Sequence, residues 1–173
     1  MTPEALHDLI AAGETLAVEF KGEEKAPLND RELVETVVCL ANRTGAEPGY
    51  LLVGVEDDGR ITGARPRHGT TTDADRVAAL IAGRTRPALS VSVGVVSLQN
   101  AEILAIEIPP TCHPIGTSDG VFLRRARGGG WPPCLPADGH SSYAIPSGRS
   151  GLAGPFRAGR HGRTLGRPGP PRI

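Results

Sequence analysis

The stretch "GYLLVGVEDDGRITGA", Gly49 to Ala64, decides the fold. It reads as a hairpin: an apolar strand from Tyr50 to Glu56, a two-residue turn at Asp58-Gly59 and a short return through Ile61. Asp57 sits at the lip of that hairpin. Acids before glycine are ordinary turn chemistry, because they tolerate left-handed backbone and bond to nearby amides. That role falls to Asp58, which leaves Asp57 as the better site candidate.

Upstream lies "GETLAVEFKGEE", Gly13 to Glu24, in which Leu16, Val18 and Phe20 alternate with Ala17, Glu19 and Lys21. Period two is the mark of a half-buried strand, here Thr15 to Lys21, and it places Glu19 and Lys21 on a shared solvent face. Before it, Thr2-Pro3-Glu4 opens a short helix that Gly13 ends. After it, Asn29 with Glu32 forms a capping-box pattern, and Leu33, Val34, Val37, Val38 and Ala41 continue at helical spacing toward Thr44.

Downstream of the hairpin a third helix begins near Thr72, with Val77, Leu80 and Ile81 facing inward. "RPALSVSVGVVS" and "EILAIEI" then pair across a turn at Gln99-Asn100 and stop at Pro109-Pro110. A final strand, "GVFLRRA", carries Arg124 and Arg125. The order α-β-α-β-β-α-β-β-β predicts an α+β fold, three short helices on a mixed or antiparallel sheet.

Charge divides the chain in two. All 19 acidic residues lie at or before Asp138, whereas the 19 basic residues split into 13 before that point and 6 after it, so residues 1–138 carry 13 − 19 = −6 and residues 139–173 carry +6. The segment from Gly139 is rich in Gly, Pro, Ser and Arg and lacks a periodic apolar pattern, which predicts disorder. An abrupt acid-free Gly/Arg/Pro tail also matches out-of-frame translation of GC-rich coding sequence. The domain is therefore expected at 1–138 and the tail at 139–173.

Cys39, Cys112 and Cys134 form no CxxC spacing, and the N-terminus carries neither a basic region nor a long apolar run. A cytoplasmic protein with reduced thiols and no membrane partner is expected. The spacing of Cys112, His113, Cys134 and His140 does not match a structural zinc site. Cys39 falls on the apolar side of the second helix and reads as a small core residue. No GxxxxGK sequence occurs, which argues against a nucleotide-hydrolysing loop.

Three blocks in order, Glu14, Glu19, Phe20 and Lys21 in "GETLAVEFK", then "LANRTG", then "GYLLVGVEDDGRITG", resemble the Schlafen-type AlbA domain, and "ILAIEIPPTCHPIGTSDGVFLRRA" is similar to the family's closing strands. The resemblance spans Met1 to Arg127. It implies a nucleic-acid-binding module, DNA-binding in the bacterial relatives and often part of a transcriptional regulator. For animal members it implies a metal-dependent endoribonuclease acting on structured RNA, in which Glu14, Glu19 and Asp57, or Glu56 if the register is off by one, would be the catalytic and metal-binding acids. The chain departs from the family pattern at "ANRTGAEPGYLL", where Ala46-Glu47-Pro48 separate glycines that are usually adjacent.

On one straight strand Glu14 and Glu19 would stand about 16 Å apart on opposite faces, so a shared magnesium or manganese ion requires Glu14 to fold back from the turn after Gly13. Without a metal the module needs no cofactor. Nucleic-acid contacts are expected from Lys21 and from the clusters Arg65 with Arg67, Arg84 with Arg86, and Arg124 with Arg125. The few aromatics occupy apolar strand positions, so a stacking platform is not expected. A third reading is a protein-interaction or homo-oligomerisation domain that uses exposed strand edges.

Overall fold

The structure is a computed structural model that describes residues 1–125 and the strand Cys134–Pro136. The expected tail, and Arg127, lie outside the described residues. Three helices and a four-stranded mixed sheet make an α+β fold, as the sequence predicts.

Helix α1 (Pro3–Ala12) starts where Thr2 accepts a hydrogen bond from Ala5 N–H, and Gly13 ends it at φ +77°, a left-handed conformation that glycine adopts without strain. Helix α2 (Asp30–Ala41) is capped by Asn29, whose side chain accepts from Glu32 N–H at 2.9 Å. It stops at Asn42, short of the expected Thr44. The Asn42 amide donates to the carbonyls of Ile115 and Leu123 and accepts from Ile115 N–H, so the side chain ties the helix end to the closing strands. Helix α3 (Ala74–Gly83) is capped by Asp73.

The main sheet has the order β1-β2-β5-β4: β1 (Val18–Lys21), β2 (Gly49–Val53), β4 (Ser92–Leu98) and β5 (Ala101–Ile108). β1 and β2 run parallel, with Glu19 opposite Leu51 and Lys21 opposite Val53, and the remaining pairs are antiparallel. Gln99 and Asn100 both take positive φ, as a two-residue hairpin turn demands. Two-residue strands β3 (Thr85–Arg86) and β6 (Gly116–Thr117) pair with each other, and β7 (Leu123–Arg125) pairs with β8 (Cys134–Pro136).

Apolar side chains fill both faces of the main sheet. Leu51, Val53, Leu104, Ile106 and Ile108 pack with α2 and α3, whereas Val18, Phe20, Leu52, Ile103 and Ala105 pack with Leu6 of α1. Covered faces explain why β2 and β5 read as nearly continuous apolar runs.

Four expectations need correction. The strand after β2 is no ladder: Val55 and Ile61 make a single isolated bridge, because β2 takes β1 and β5 as its neighbours and has no free edge for a return strand. β1 begins at Val18 rather than Thr15, because the Thr15 hydroxyl accepts from the N–H groups of Ala17 and Val18 and makes a turn of residues 15–18. The face that carries Glu19 and Lys21 is not open to solvent, since the register puts them on the same side as Leu51 and Val53, under α2 and β7. Cys39 is fully buried in α2 and disulfide-bonded, contrary to the expected reduced thiols. Among the described residues no helix is long and apolar enough to cross a membrane.

Candidate nucleic-acid interface

β1 is an edge strand, and its outward backbone groups are all but used up by nearby side chains. Thr15 exchanges hydrogen bonds with Val18, Arg125 donates to the Val18 carbonyl at 3.1 Å, and Glu14 Oε1 accepts from Phe20 N–H at 2.6 Å. An edge closed in this way does not template pairing with another chain. The other sheet edge is β4, where Val95 is exposed.

The fold-back that the sequence leaves open thus occurs. Gly13 turns the chain out of α1, and Glu14 swings over the strand instead of preceding it in line. Burial raises the Glu14 carboxyl to a pKa of about 7; the bond from Phe20 N–H opposes that rise, and repulsion from Glu19 and Asp57 adds to it. Glu14 thus lies within electrostatic reach of both other acids that the resemblance names.

Their oxygens, however, are already engaged. Glu19 holds Lys21 at 2.9 Å through Oε1 and Arg125 through Oε2, and its side chain is only 13% exposed. Burial presses the Lys21 ammonium down, but its bond to Glu19 together with the charges of Glu19, Glu32 and Glu14 outweighs this and holds it above its ordinary value. Arg125 is 2% exposed and is anchored in the strand-edge contact as well. Among the described residues no group of three or more His, Cys, Asp or Glu is arranged to hold a metal ion. A divalent ion shared by Glu14, Glu19 and Asp57 would have to displace two cations and an amide, so the acids as arranged do not form its ligand set.

Asp57 is also placed differently from the reading at the sequence level. The Gly59 N–H donates to the Glu56 carbonyl at 2.8 Å, which makes Asp57 and Asp58 the central turn residues, with Gly59 following at φ +83°. Asp58 accepts from Arg60 N–H as expected.

The arginine clusters separate into internal and external members. Glu23, a buried acid that sequence reading passes over, accepts from the N–H groups of Leu28 (2.7 Å) and Arg65 (2.6 Å) and pairs with Arg67 at 3.2 Å. Arg67 is mostly buried, and the Arg65 guanidinium donates to the carbonyls of Glu23 and Glu24. Arg31, Arg60 and Arg76 each pair with a carboxylate, and Arg43 is held by the carbonyls of Leu40 and Glu47. Arg84, Arg86 and Arg124 are exposed, and among the described residues none of them has a carboxylate partner.

Those three belong to one β flank. Arg86 stands opposite Gly116 across the β3–β6 pair, Ser118 N–H donates to the Arg84 carbonyl at 2.8 Å, and a turn at Gly120 leads directly into β7 and Arg124. Arg86 also donates to the carbonyls of Gly83 and Thr85, a favourable place for a cation at the end of α3. Phe122 lies against Gly116 so closely that a side chain there would strike its ring, yet the ring is 39% exposed. An exposed aromatic among uncompensated arginines was not legible in the sequence, where Phe122 reads as a core strand position.

A family model described as Schlafen, AlbA_2 matches residues 14–129. The chain belongs to the Schlafen AlbA_2 family. Two solved structures are similar to this Schlafen AlbA_2 chain. The DIP2311 protein from Corynebacterium diphtheriae aligns at 24% identity and TM-score 0.56 over 78% of this chain and 29% of its own length. The N-terminal domain of a Nitrosomonas europaea protein named as RecG-related and as an ATP-dependent DNA helicase aligns at 22% identity and TM-score 0.49, over 93% of this chain and 99% of that domain. The first likeness is one of fold alone, and this chain spans less than a third of that relative. No curated protein matches the chain.

Proposed function

We propose that this Schlafen AlbA_2 chain is a nucleic-acid-binding module whose contact surface is the β3–β6–β7 flank. The observation that carries the reading is that Arg84, Arg86 and Arg124, exposed and without carboxylate partners among the described residues, lie on the consecutive short elements β3 to β7, which also carry the exposed ring of Phe122 against Gly116. Arginines of this kind neutralise phosphates and release counterions, and an aromatic face stacks on an unpaired base. Net charge is −6 over residues 1–138, so a confined patch of uncompensated cations is where a polyanion finds least repulsion. Lys21, Arg65, Arg67 and Arg125 serve this reading as internal supports, since each is tied to Glu19 or Glu23. The module is a candidate piece of a DNA-binding regulator.

One observation favours the nuclease reading: Glu14 turns back onto the strand next to Glu19 and within electrostatic reach of Asp57. Against it stands the pairing of both Glu19 oxygens with cations.

One experiment separates the two. The full chain is incubated with a duplex DNA and with a hairpin RNA, with and without magnesium or manganese, alongside Asp57→Asn and the double variant Arg84→Gln/Arg86→Gln. The binding reading predicts intact nucleic acid in every lane and weaker association in the arginine variant alone. Metal-dependent cleavage that Asp57→Asn abolishes would overturn it in favour of the endoribonuclease.

A further inference from the structure

Beside Arg124, at the C-terminal end of α2, lies a cavity of about 380 Å³ whose walls include Asn42, Arg43, Thr111, Cys112, His113 and Arg124. Its volume is in the range of small-ligand sites, several times that of a phosphate ion. No carboxylate is among the described residues that line it, although acids outnumber bases in residues 1–138.

Its polar groups fall into two sets. Asn42 is fixed by the backbone of Ile115 and Leu123, Thr111 donates to the Ala41 carbonyl at 3.0 Å, and Arg43 bonds only carbonyl oxygens, so these three form a rigid floor whose guanidinium keeps its charge uncompensated. Arg124, His113 and Cys112 are exposed at the rim. Thr111 and Arg43 also occupy the Ala41 and Leu40 carbonyls, which weakens the negative end of the helix dipole where an anion would approach.

From this arrangement we infer that the cavity is a nucleotide subsite, which takes one unpaired phosphorylated nucleotide with its phosphate toward Arg124 and Arg43 and its base against His113. The inference rests on the nucleic-acid reading and deepens it, because the cavity adjoins the arginine that ends the proposed flank. A nucleotide in a strand and a free mononucleotide share this chemistry. A duplex without unpaired nucleotides cannot enter, so the subsite would give preference for single-stranded or frayed nucleic acid.

Cys112, a free exposed thiol on the cavity wall, reports occupancy without an added label. The full chain is treated with iodoacetamide, and carboxamidomethylation of the Cys112 peptide is followed by mass spectrometry in the presence of a 12-nucleotide single strand, a blunt duplex, adenosine 5′-monophosphate or inorganic phosphate. Binding of both oligonucleotides is measured in parallel by fluorescence anisotropy.

At a concentration about tenfold above the dissociation constant, the single strand or the mononucleotide should slow alkylation about tenfold, and the blunt duplex should not. Protection should fall away in His113→Asn and in Arg124→Gln, and the two nucleotide arms show whether the occupant is strand-borne or free. Unchanged alkylation while anisotropy shows the strand bound would overturn the subsite and leave the flank standing. Equal protection by inorganic phosphate would also overturn it, in favour of a simple anion site. Absence of any oligonucleotide binding would refute the flank instead, and with it a strand-borne occupant.

Discussion

Replacing Glu14 by Gln should remove a pH dependence that the fold builds in. The carboxyl has a pKa of about 7 against an ordinary 4.5, because burial and then the neighbouring acids Glu19 and Asp57 outweigh its bond from Phe20 N–H. The folded chain therefore binds this proton more tightly than the unfolded chain does. Stability from Glu14 is complete below about pH 4.5 and is lost as pH rises through about pH 7. The gap is about 2.5 pH units at about 1.36 kcal/mol each, at most about 3.4 kcal/mol; solvent screening of a half-buried group reduces this to roughly 1–2 kcal/mol. A Gln amide oxygen still accepts from Phe20 N–H and does not titrate. Urea denaturation of both proteins at pH 5 and pH 8 should give nearly equal stabilities at pH 5 and an advantage of roughly 1–2 kcal/mol for Glu14→Gln at pH 8. Other titrating groups cancel in the comparison. A difference that stays constant across that range would refute the account of how Glu14 is held.

Adjacent arginines should behave oppositely: Arg125→Met, which breaks the buried contact with Glu19 and frees the Val18 carbonyl, should cost about 3 kcal/mol, whereas Arg124→Met at the exposed neighbour should stay within about 0.5 kcal/mol, both read from chemical denaturation. Glu23→Ala should cost about 3 kcal/mol or more by the same measurement, because it leaves Arg67 buried without its charge partner and strands the N–H groups of Leu28 and Arg65. Phe122→Leu should weaken binding of a single strand by roughly 1–3 kcal/mol in anisotropy while leaving stability nearly unchanged, since its ring is exposed.

Helices were legible from caps and spacing: Thr2 and Asn29 each accept the bond that their position predicts, whereas the third helix starts at Ala74 with Asp73 as its cap, two residues after the expected Thr72. The Gln99-Asn100 hairpin was equally plain, because two positive-φ residues between apolar runs leave little choice. What local pattern could not give was partnership. β2 reads as half of a hairpin, yet its neighbours lie far off in the chain: Val18 pairs with Tyr50, 50 − 18 = 32 residues apart, and Leu52 with Ala105, 105 − 52 = 53 residues apart. Glu19 and Lys21 look like a wet face because alternation reports that two faces differ, not that the second one meets water. It meets Arg125, over a hundred residues away in the chain. Of the arginine pairs, strand alternation alone separates Arg124 from Arg125, since neighbours on a strand face opposite sides. Glu23 carried no signal at all, being one acid in a run of charges.

The central claim is that nucleic acid is held by the flank of Arg84, Arg86 and Arg124, and the salt dependence of binding tests it most directly. Affinity for one duplex is measured between low and moderate salt for the full chain and for Arg84→Gln/Arg86→Gln/Arg124→Gln, with any contribution from residues 139–173 common to both. Each lost phosphate contact should make the slope of log K against log salt shallower by about 0.9, so three contacts predict a change of about 2.7 together with a lower affinity at every salt concentration. An unchanged slope and an unchanged affinity in the triple variant would contradict the claim.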